Sequence, residues 1–443
     1  MTTTKPAFLS GDVVQAIDQM IGELYPAGEP GAAAIVVKEG QVVFRKAYGM
    51  ANLELGVAMR ADHIFRIGSI TKQFTAATIL MLVEQDKLAL DDEISTFLSD
   101  YPTYGHRISI KHLLTHTSGI KNYTERPDIR GIWRKDVTVS ELIGEFKDLP
   151  MEFAPGERFH YSNSGYVLLG AIIEAASGQT YESFLEHQIL RPLHLAHTSY
   201  DHTRWIVPGR TAGYDLGPNG FQNASFISMT QPYAAGGLMS TVDDLARWDA
   251  ALSAERFVSP SLLERAWTPN YLNDGRATGY GYGWRIGTYA GHRLVQHDGG
   301  IHGYTAHALR LLDDRIFVAV LTNSTGKQPG LEHLALKIGA LAIDQPYLEP
   351  VPIAVDAAVK DRYVGVYRVR AKEDRTILRE ADRIYLQWHE GANQEILPLA
   401  EDEFFVKDDS FIRIRFVHER GKQPTSIEIH GIGPIEAATR VEE

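Results

Sequence analysis

The sequence of 443 residues contains no cysteine. This absence excludes disulfide bonds, metal sites and iron–sulfur clusters that need thiolate ligands, and a cysteine nucleophile. A chain of this length can bury a large core without such cross-links. Apolar residues make up 44% of the chain and charged residues 23%, which is the composition of an ordinary folded globular protein.

Long apolar runs and an excess of positive charge are also missing. The longest apolar stretch, residues 166–173, is far shorter than the roughly 20 residues of a membrane-spanning helix, so we expect no membrane span. The net charge of -12 argues against nucleic-acid binding. The first residues lack the apolar segment of a secretory signal. The sequence as it stands predicts a cytoplasmic protein, or a periplasmic or secreted one if a signal was trimmed.

Strand-like apolar runs occur in two distant parts of the chain. Residues 32–38 and 41–48 flank a glycine turn and predict a β-hairpin. Further strands are predicted near residues 281–286, 293–297, 304–311 and 315–321. Because these strands are far apart in sequence, we expect one sheet that is assembled from distant segments.

The chain between these strands has helical periodicity. Apolar residues from Ser69 to about Gln85 recur at the spacing of an amphipathic helix. Further helices are predicted at residues 164–176, 181–189, 243–252, 259–267 and 331–343. We therefore predict an α+β domain over residues 1–345, an antiparallel sheet flanked by helices, with a helical region inserted at about residues 86–275.

The remainder of the chain has a different pattern. Prolines within residues 346–355 predict a linker. Over residues 356–443, short alternating apolar runs are separated by turn residues, which predicts a small all-β, barrel-like domain. Its strands are predicted at residues 363–369, 376–378, 383–388, 404–406, 411–417 and 426–430.

The first candidate catalytic feature is the pair Ser69 and Lys72. Residues three apart lie on one face of a helix, so both side chains point the same way at the start of the predicted helix. A serine hydroxyl is a weak nucleophile until a base removes its proton. A lysine held away from water can have the lowered pKa that this role requires. The same spacing also fits an N-cap serine beside a solvated lysine.

A second feature is Tyr161 with Asn163, just before a predicted helix. A tyrosine phenol near ammonium groups can pass protons between a nucleophile and a leaving group. Asn163 can donate to a substrate carbonyl and can also contact Lys72. The same residues fit an ordinary turn followed by a helix cap.

A third feature is His297, followed closely by Gly299 and Gly300. Glycines at a strand end allow a substrate backbone to approach. The N–H of Gly300, together with that of Ser69, could stabilise an oxyanion. His297 could shuttle a proton or bind a substrate carboxylate. A strand-end histidine above a glycine turn explains the same residues without a function.

In this order, Ser-x-x-Lys, Tyr-x-Asn and His-x-Gly resemble the serine β-lactamase and penicillin-binding family. The similar branch holds class C β-lactamases, D-alanyl-D-alanine carboxypeptidases, D-aminopeptidases and esterases. Supporting stretches lie at residues 65–69, 110–119, 235–241 and 281–284. The resemblance implies a β-lactamase/transpeptidase-like fold over about residues 12–345. Residues 363–367 look like part of the lipocalin-like C-terminal domain of some members.

The resemblance implies a role for each residue. Ser69 attacks a carbonyl and becomes acylated, and Lys72 takes its proton, alone or with Tyr161. Tyr161 then protonates the leaving group and activates water for deacylation, while Asn163 orients the substrate. No metal or cofactor is needed. His297 stands where class C β-lactamases carry lysine, which favours a peptidase of the carboxypeptidase or aminopeptidase type acting on D-amino-acid peptides, or an esterase acting on small carboxylic esters.

Three alternatives stay open at the level of sequence. One is a β-lactamase, and another is a non-catalytic penicillin-binding or recognition protein. A metallohydrolase is disfavoured, because Leu113 stands where a zinc-protease helix carries glutamate after its first histidine. The expected partner is a small-molecule or peptide substrate, and a homo-oligomer could form through the C-terminal domain.

Overall fold

The computed structural model describes residues 8–254, 257–370, 373–388, 391–419 and 422–441. The chain forms two compact units. The first unit ends at Pro346 and the second begins at Tyr347, while residues 287–289 group with the second. Among the described residues, no helix combines the length and the apolar character needed to cross a membrane.

The first unit contains both helices and strands, which occur in runs along the chain. Its helices are α1 (Gly11–Leu24), α2 (Thr71–Glu84), α3 (Ile110–Leu114), α4 (Val139–Gly144), α5 (Asn163–Ser177), α6 (Tyr181–Leu185), α7 (Tyr233–Gly236), α8 (Val242–Ser253), α9 (Pro260–Ala266) and α10 (Leu331–Ala342). Its strands are β1 (Ala32–Lys38), β2 (Gln41–Tyr48), β3 (Met50–Asn52), β4 (Val57–Ala58), β5 (Phe65–Arg66), β6 (Ser199–Tyr200), β7 (Tyr214–Gly217), β8 (Gly220–Asn223), β9 (Leu238–Ser240), β10 (Arg285–Tyr289), β11 (His292–Ile301), β12 (Tyr304–Leu311), β13 (Ile316–Thr322) and β14 (Ser324–Thr325).

The main sheet has the strand order β10-β11-β12-β13-β1-β2. It joins the two distant segments as predicted, and the predicted hairpin is confirmed with β1 and β2 as its strands. The strands β1 and β13 are buried along their whole length. They are covered because α8 packs against both and α10 packs against β12 and β13. The predicted α+β class is confirmed.

Helix α2 is buried on every side rather than on one face. Each residue of Thr71–Leu82 is buried, so the amphipathic helix predicted from Ser69 is wrong in character. The helix is enclosed by α5 and α7, and Trp248 stacks on Phe74 with ring centroids 4.4 Å apart. Polar α2 side chains find internal partners, as when Thr75 Oγ1 donates to the Ala234 carbonyl at 2.7 Å. A lysine in the first turn of this helix is therefore removed from water.

The segment before β10 is a turn, which corrects the predicted strand at 281–286. The Gly281 N–H donates to the Trp284 carbonyl at 2.8 Å. Gly283 has a φ of 80°, a conformation that favours glycine. A Cβ on Gly281 would lie 2.0 Å from the Ala266 carbonyl oxygen. These close approaches fold the aromatic-rich stretch back on itself, so the strand begins only at Arg285.

A buried ion cluster fixes the chain just before Ser69. The Asp201 side chain is fully buried and accepts from Arg66 Nε at 2.7 Å and from Arg210 Nη1 at 2.6 Å. Ile67, the residue after Arg66, donates its N–H to the Leu238 carbonyl at 3.0 Å. Because β5 also pairs with β9, the turn that follows is held from both sides.

The second unit is a closed barrel, which confirms the predicted all-β domain. It begins with α11 (Ala357–Tyr363), and its barrel strands are β15 (Gly365–Arg370), β16 (Glu373–Glu380), β17 (Arg383–Trp388), β18 (Asn393–Pro398), β19 (Glu403–Val406), β20 (Asp409–Val417), β21 (Ser426–His430) and β22 (Glu436–Arg440). The prediction missed α11, β18 and β22. Tyr363 stacks on Phe416 within its apolar core. The lipocalin-like assignment stays a prediction.

Two adjacent glycines of β11 provide a matched test of this packing. A Cβ on Gly299 would lie 2.0 Å from the Ile67 carbonyl oxygen, whereas a Cβ on Gly300 would meet nothing within 4 Å. We expect Gly299→Ala to lower the free energy of unfolding by about 1–3 kcal/mol and Gly300→Ala to change it by less than about 0.5 kcal/mol. Urea denaturation measures both, and equal losses would contradict the described packing.

Candidate active site

Ser69 lies in a single 3₁₀ turn, Gly68–Ile70, that leads into α2. Its neighbours on both sides are buried, while Ser69 itself is partly exposed. Gly68 has a φ of 49°, and a Cβ there would lie 2.9 Å from the Gly300 amide nitrogen. The turn therefore packs directly against β11 and presents one hydroxyl outward.

The Lys72 amine lies among three oxygen atoms. Lys72 Nζ is 3.0 Å from Ser69 Oγ, 2.8 Å from Asn163 Oδ1 and 2.8 Å from the Ala235 carbonyl oxygen. The residue is completely buried. Burial holds the pKa of Lys72 well below its ordinary value, although the carboxylate of Asp298 acts in the opposite direction. The structure thus brings the predicted Ser69 and Lys72 together in one contact.

Tyr161 lies beside this amine. Lys72 Nζ is 4.8 Å from the centroid of its ring. The phenol oxygen is buried and has no partner with hydrogen-bond geometry among the described residues. Burial raises the pKa of Tyr161 above its ordinary value, an effect that the nearby Ser69 hydroxyl partly offsets. This direction keeps the Tyr161 phenol protonated near neutral pH.

Asn163 is the first residue of α5, and both ends of its amide are held. Its Oδ1 accepts from Lys72 Nζ, and its Nδ2 donates to Thr124 Oγ1 at 3.1 Å. Its backbone N–H donates to Asn122 Oδ1 at 3.1 Å. Nδ2 carries two hydrogens and Thr124 accepts one of them, so the side chain is fixed in place while its second amide hydrogen remains able to donate.

His297 is enclosed rather than open to the site. Its side chain is fully buried, with Nε2 2.8 Å from the Tyr280 hydroxyl oxygen and Nδ1 2.6 Å from the Asp298 carbonyl oxygen. Burial lowers the pKa of His297 to about 3, so the ring is neutral. The structure does not bring this ring to a position from which it could pair with a substrate carboxylate. Its Nε2 is occupied by Tyr280, and its ring centroid lies 6.1 Å from that of Tyr161.

Gly299 and Gly300 lie where β11 passes the 3₁₀ turn that carries Ser69. Gly299 is buried and Gly300 is exposed. A Cβ on Gly299 would be only 3.3 Å from the Ser69 amide nitrogen, and the space over Gly300 is open. The backbones that carry the two predicted oxyanion donors are thus adjacent, and the donor role itself stays a prediction.

Arg285 and Asp298 form a half-exposed ion pair that the sequence interpretation missed. Arg285 Nε lies 3.0 Å from Asp298 Oδ1, and the Arg285 guanidinium is 5.8 Å from the Tyr161 ring centroid. Although burial acts to raise it, His297 and Arg285 together hold the pKa of Asp298 well below its usual range. Arg285 is the single charged residue within 281–286. This isolated charge was the signal in the sequence that could have pointed to Arg285 as a site residue.

Two other histidines, His112 and His160, contact neighbouring polar groups through their rings. His112 Nδ1 accepts from the Ser109 N–H, within a capping box. His160 lies between two carboxylates, with Nδ1 2.5 Å from Glu152 Oε2 and Nε2 3.4 Å from Glu125 Oε1. These three groups could approach one cation. Each ring nitrogen already faces its own carboxylate, which is the geometry of an ion pair.

Comparison with known proteins places this geometry in a family. The family model described as Beta-lactamase matches residues 17–342. A penicillin-binding protein of Bacillus subtilis (strain 168) is 28% identical over 419 residues, which is 89% of this chain and 91% of the relative. The D-aminopeptidase of Gluconobacter oxydans (strain 621H) is 27% identical over 325 residues, 72% of this chain and 60% of the relative.

A solved structure extends the likeness to nearly the whole chain. The octameric penicillin-binding protein homologue from Pyrococcus abyssi is 28% identical and superposes with a TM-score of 0.68, over 97% of this chain and 99% of the other. This confirms the predicted β-lactamase/transpeptidase-like fold. The family match spans well over half of the chain and includes every predicted site residue. The chain belongs to the beta-lactamase family.

Proposed function

We propose that the protein hydrolyses amide or ester bonds through an acyl-enzyme on Ser69, with D-amino-acid peptides or small carboxylic esters as substrates. The observation that carries the proposal is the buried Lys72 amine, 3.0 Å from Ser69 Oγ. A buried amine with a lowered pKa is the base that a serine nucleophile requires.

The contacts of Lys72 fit a neutral amine. A neutral amine has two hydrogens and one lone pair. The hydrogens can be donated to Asn163 Oδ1 and the Ala235 carbonyl, both 2.8 Å away. The lone pair is then left for the Ser69 hydroxyl proton. As Ser69 Oγ forms its bond to the substrate carbonyl carbon, this proton passes to Lys72 Nζ, and the carbonyl oxygen becomes an oxyanion.

Breakdown of the tetrahedral intermediate requires a proton on the leaving group. Tyr161 is a buried phenol with a raised pKa beside Lys72, so it can donate its proton to the departing amine or alcohol and recover one from Lys72. The N–H groups of Ser69 and Gly300 are the proposed donors to the oxyanion. Asn163 is proposed to orient the substrate carbonyl, and a water activated by the same groups then cleaves the acyl-enzyme.

The substrate class is drawn from the site and from the relatives together. The enclosed, neutral His297 supplies no cation for the carboxylate of a β-lactam or a peptide C-terminus, which favours an aminopeptidase, amidase or esterase over a β-lactamase. The named D-aminopeptidase relative supports the same ranking. A non-catalytic penicillin-binding protein is the second candidate, supported by the Bacillus subtilis relative.

The predicted domain bounds belong to the same proposal. We assign the activity to residues 1–345 and treat residues 346–355 as a linker to the β domain at 356–443. The similar Pyrococcus abyssi protein is described as octameric. This supports a homo-oligomer as the proposed assembly, and its formation through the C-terminal domain is our own proposal.

Replacing the nucleophile tests the proposal directly. We expect Ser69→Ala to abolish covalent labelling by a fluorescent penicillin or an acylating phosphonate. We also expect it to lower turnover of p-nitrophenyl butyrate and D-alanyl p-nitroanilide by at least about 10³-fold, since no other group can take up the acyl chain. Ser99→Ala, at an exposed serine, is the matched control and should keep both activities.

The outcomes separate the candidate functions. Labelling or turnover that persists in Ser69→Ala contradicts the acyl-enzyme. Stoichiometric labelling of the parent protein without turnover of any substrate favours the penicillin-binding candidate. Fast hydrolysis of nitrocefin alone favours a β-lactamase.

The pH dependence of kcat/KM tests the role of Lys72. Activity requires the neutral amine, so it falls as pH drops through the lowered pKa of Lys72. Asp298 raises that pKa and Arg285 lowers it. We therefore expect Asp298→Asn to shift the rising limb of the profile to lower pH and Arg285→Gln to shift it to higher pH.

Substitutions in an exposed pair control for general charge effects. Arg60 and Asp62 form such a pair, and Asp62→Asn should leave the limb unmoved. Shifts in the same direction for Asp298→Asn and Arg285→Gln would contradict the assignment of Lys72 as the base.

A further inference from the structure

A cleft of about 710 Å³ opens beside the candidate active site. This volume lies within the range of pockets that bind small molecules. It is lined by Arg130, Trp133, Arg134, Asp215, Ser225, Phe226, Gly300, Ile301, His302 and Thr325. None of these residues except Gly300 belongs to the constellation described above.

Gly300 connects the cleft to the nucleophile. It forms part of the cleft wall, and its amide nitrogen lies 2.9 Å from the position of a Cβ on Gly68, the residue before Ser69. The wall continues along β11 and beyond it to His302, and a strand advances about 3.3 Å per residue. A chain of a few atoms attached to a carbonyl at Ser69 therefore reaches the cleft.

The cleft lies on the side of the acyl group. Lys72 and Tyr161, the residues proposed to move the leaving group's proton, do not line the cleft. Gly300, the proposed donor to the carbonyl oxygen, does line it. The part of the substrate that stays on Ser69 is therefore the part that extends into the cleft.

Two arginines give the cleft its charge. Arg130 and Arg134 are exposed, and neither has a carboxylate within 4.0 Å among the described residues. Each guanidinium lies over an aromatic ring, that of Arg130 6.0 Å from the centroid of Trp133 and that of Arg134 5.6 Å from the centroid of Phe226. The guanidiniums of Arg130 and Arg134 thus pack against aromatic rings. Their N–H donors contact no carboxylate in the part of the chain that the structure describes.

One acidic residue lines the same cleft. Asp215 Oδ1 accepts from Thr325 Oγ1 at 2.6 Å. With Arg130 and Arg134 this leaves an excess of one positive charge in the lining. In a protein with a net charge of -12, a positive cleft beside the nucleophile stands out from its surroundings and attracts anions.

The arginine-bearing segment is held in place by the first unit. The Ser228 N–H donates to the Trp133 carbonyl at 2.7 Å, and Gln231 Nε2 donates to the carbonyls of Ile132 and Lys135 at 3.0 and 2.9 Å. The Trp133 ring meets His302 edge-on at 4.6 Å. The Trp133 ring and its segment are therefore held in position before any ligand binds, which lowers the entropic cost of binding.

We propose that this cleft is a subsite for an acyl group that carries a carboxylate on an apolar stem. The stem packs on Trp133 and Phe226, and the carboxylate pairs with Arg130 and Arg134. The proposal rests on the proposed function, because it assumes an acyl group on Ser69. It narrows the substrate class to amides or esters of acids that bear a second, distal acid group.

Two esters of equal chain length test the subsite. Mono-4-nitrophenyl adipate and 4-nitrophenyl hexanoate share the leaving group and differ by one terminal carboxylate. We expect the parent protein to favour the adipate ester in kcat/KM by about fivefold or more, because two guanidiniums can pair with one carboxylate. The preference should fall as salt is raised, since the pairing is partly exposed to water.

Substitution of the arginines should remove the preference. In the double variant Arg130→Gln, Arg134→Gln we expect the adipate-to-hexanoate ratio to fall to about one, and in Arg134→Glu to fall below one. Arg107→Gln is the matched control, because Arg107 is exposed, pairs with Glu93 and lies outside the cleft. It should keep the parent ratio.

The outcomes distinguish the subsite from the chemistry. If Ser69→Ala hydrolyses both esters as fast as the parent, the proposed function fails and the subsite with it. If hydrolysis of both esters depends on Ser69 but the parent shows no preference, or if the double variant keeps the preference, the subsite alone is overturned.

Discussion

The Lys72 amine is fully buried, and its three oxygen neighbours come from three separate parts of the chain. An amine in such a place is costly to charge, so burial lowers the pKa of Lys72, and its proposed role as the base depends on this. Protonation of the amine stays costly only where its surroundings are fixed, because an amine that could reach water would recover its proton. Helix α2 therefore has to be enclosed on all sides, and the packing of α5 and α7 around it serves the chemistry as well as the core.

The 3₁₀ turn that carries Ser69 is held in place by contacts of other residues rather than of Ser69 itself. Buried Asp201, held by Arg66 and Arg210, anchors the strand before the turn. On the other side, β11 approaches so closely that only glycine fits at position 299. The same close approach leaves Gly300 open, so one strand both supports the turn and forms the start of the arginine-lined cleft. The site and its proposed acyl subsite thus share one structural element.

Much of this could be predicted from local patterns. The spacing of Ser69 and Lys72 and the apolar runs on either side of the glycine turn at residue 40 are local patterns, and the structure contains both the Ser69–Lys72 contact and the hairpin of β1 and β2. The orientation of His297 could not be predicted, because it depends on Tyr280, which reaches it across the fold. The burial of α2 could not be predicted because its threonines are polar residues, and their hydroxyls find hydrogen-bond partners inside the fold. The turn at Gly281 was hidden by aromatic residues that alternate as in a strand, and β18 by the polar residues in its first half.

The most direct test of the central claim is the protonation state of Lys72. Protein labelled with ¹³C at lysine Cε can be titrated by NMR, with the Lys72 signal identified by its loss in Lys72→Arg. The account predicts that burial lowers the pKa of Lys72, so that this amine loses its proton at a lower pH than the exposed lysines do. A Lys72 signal that titrates near pH 10.4, together with the exposed lysines, would contradict it.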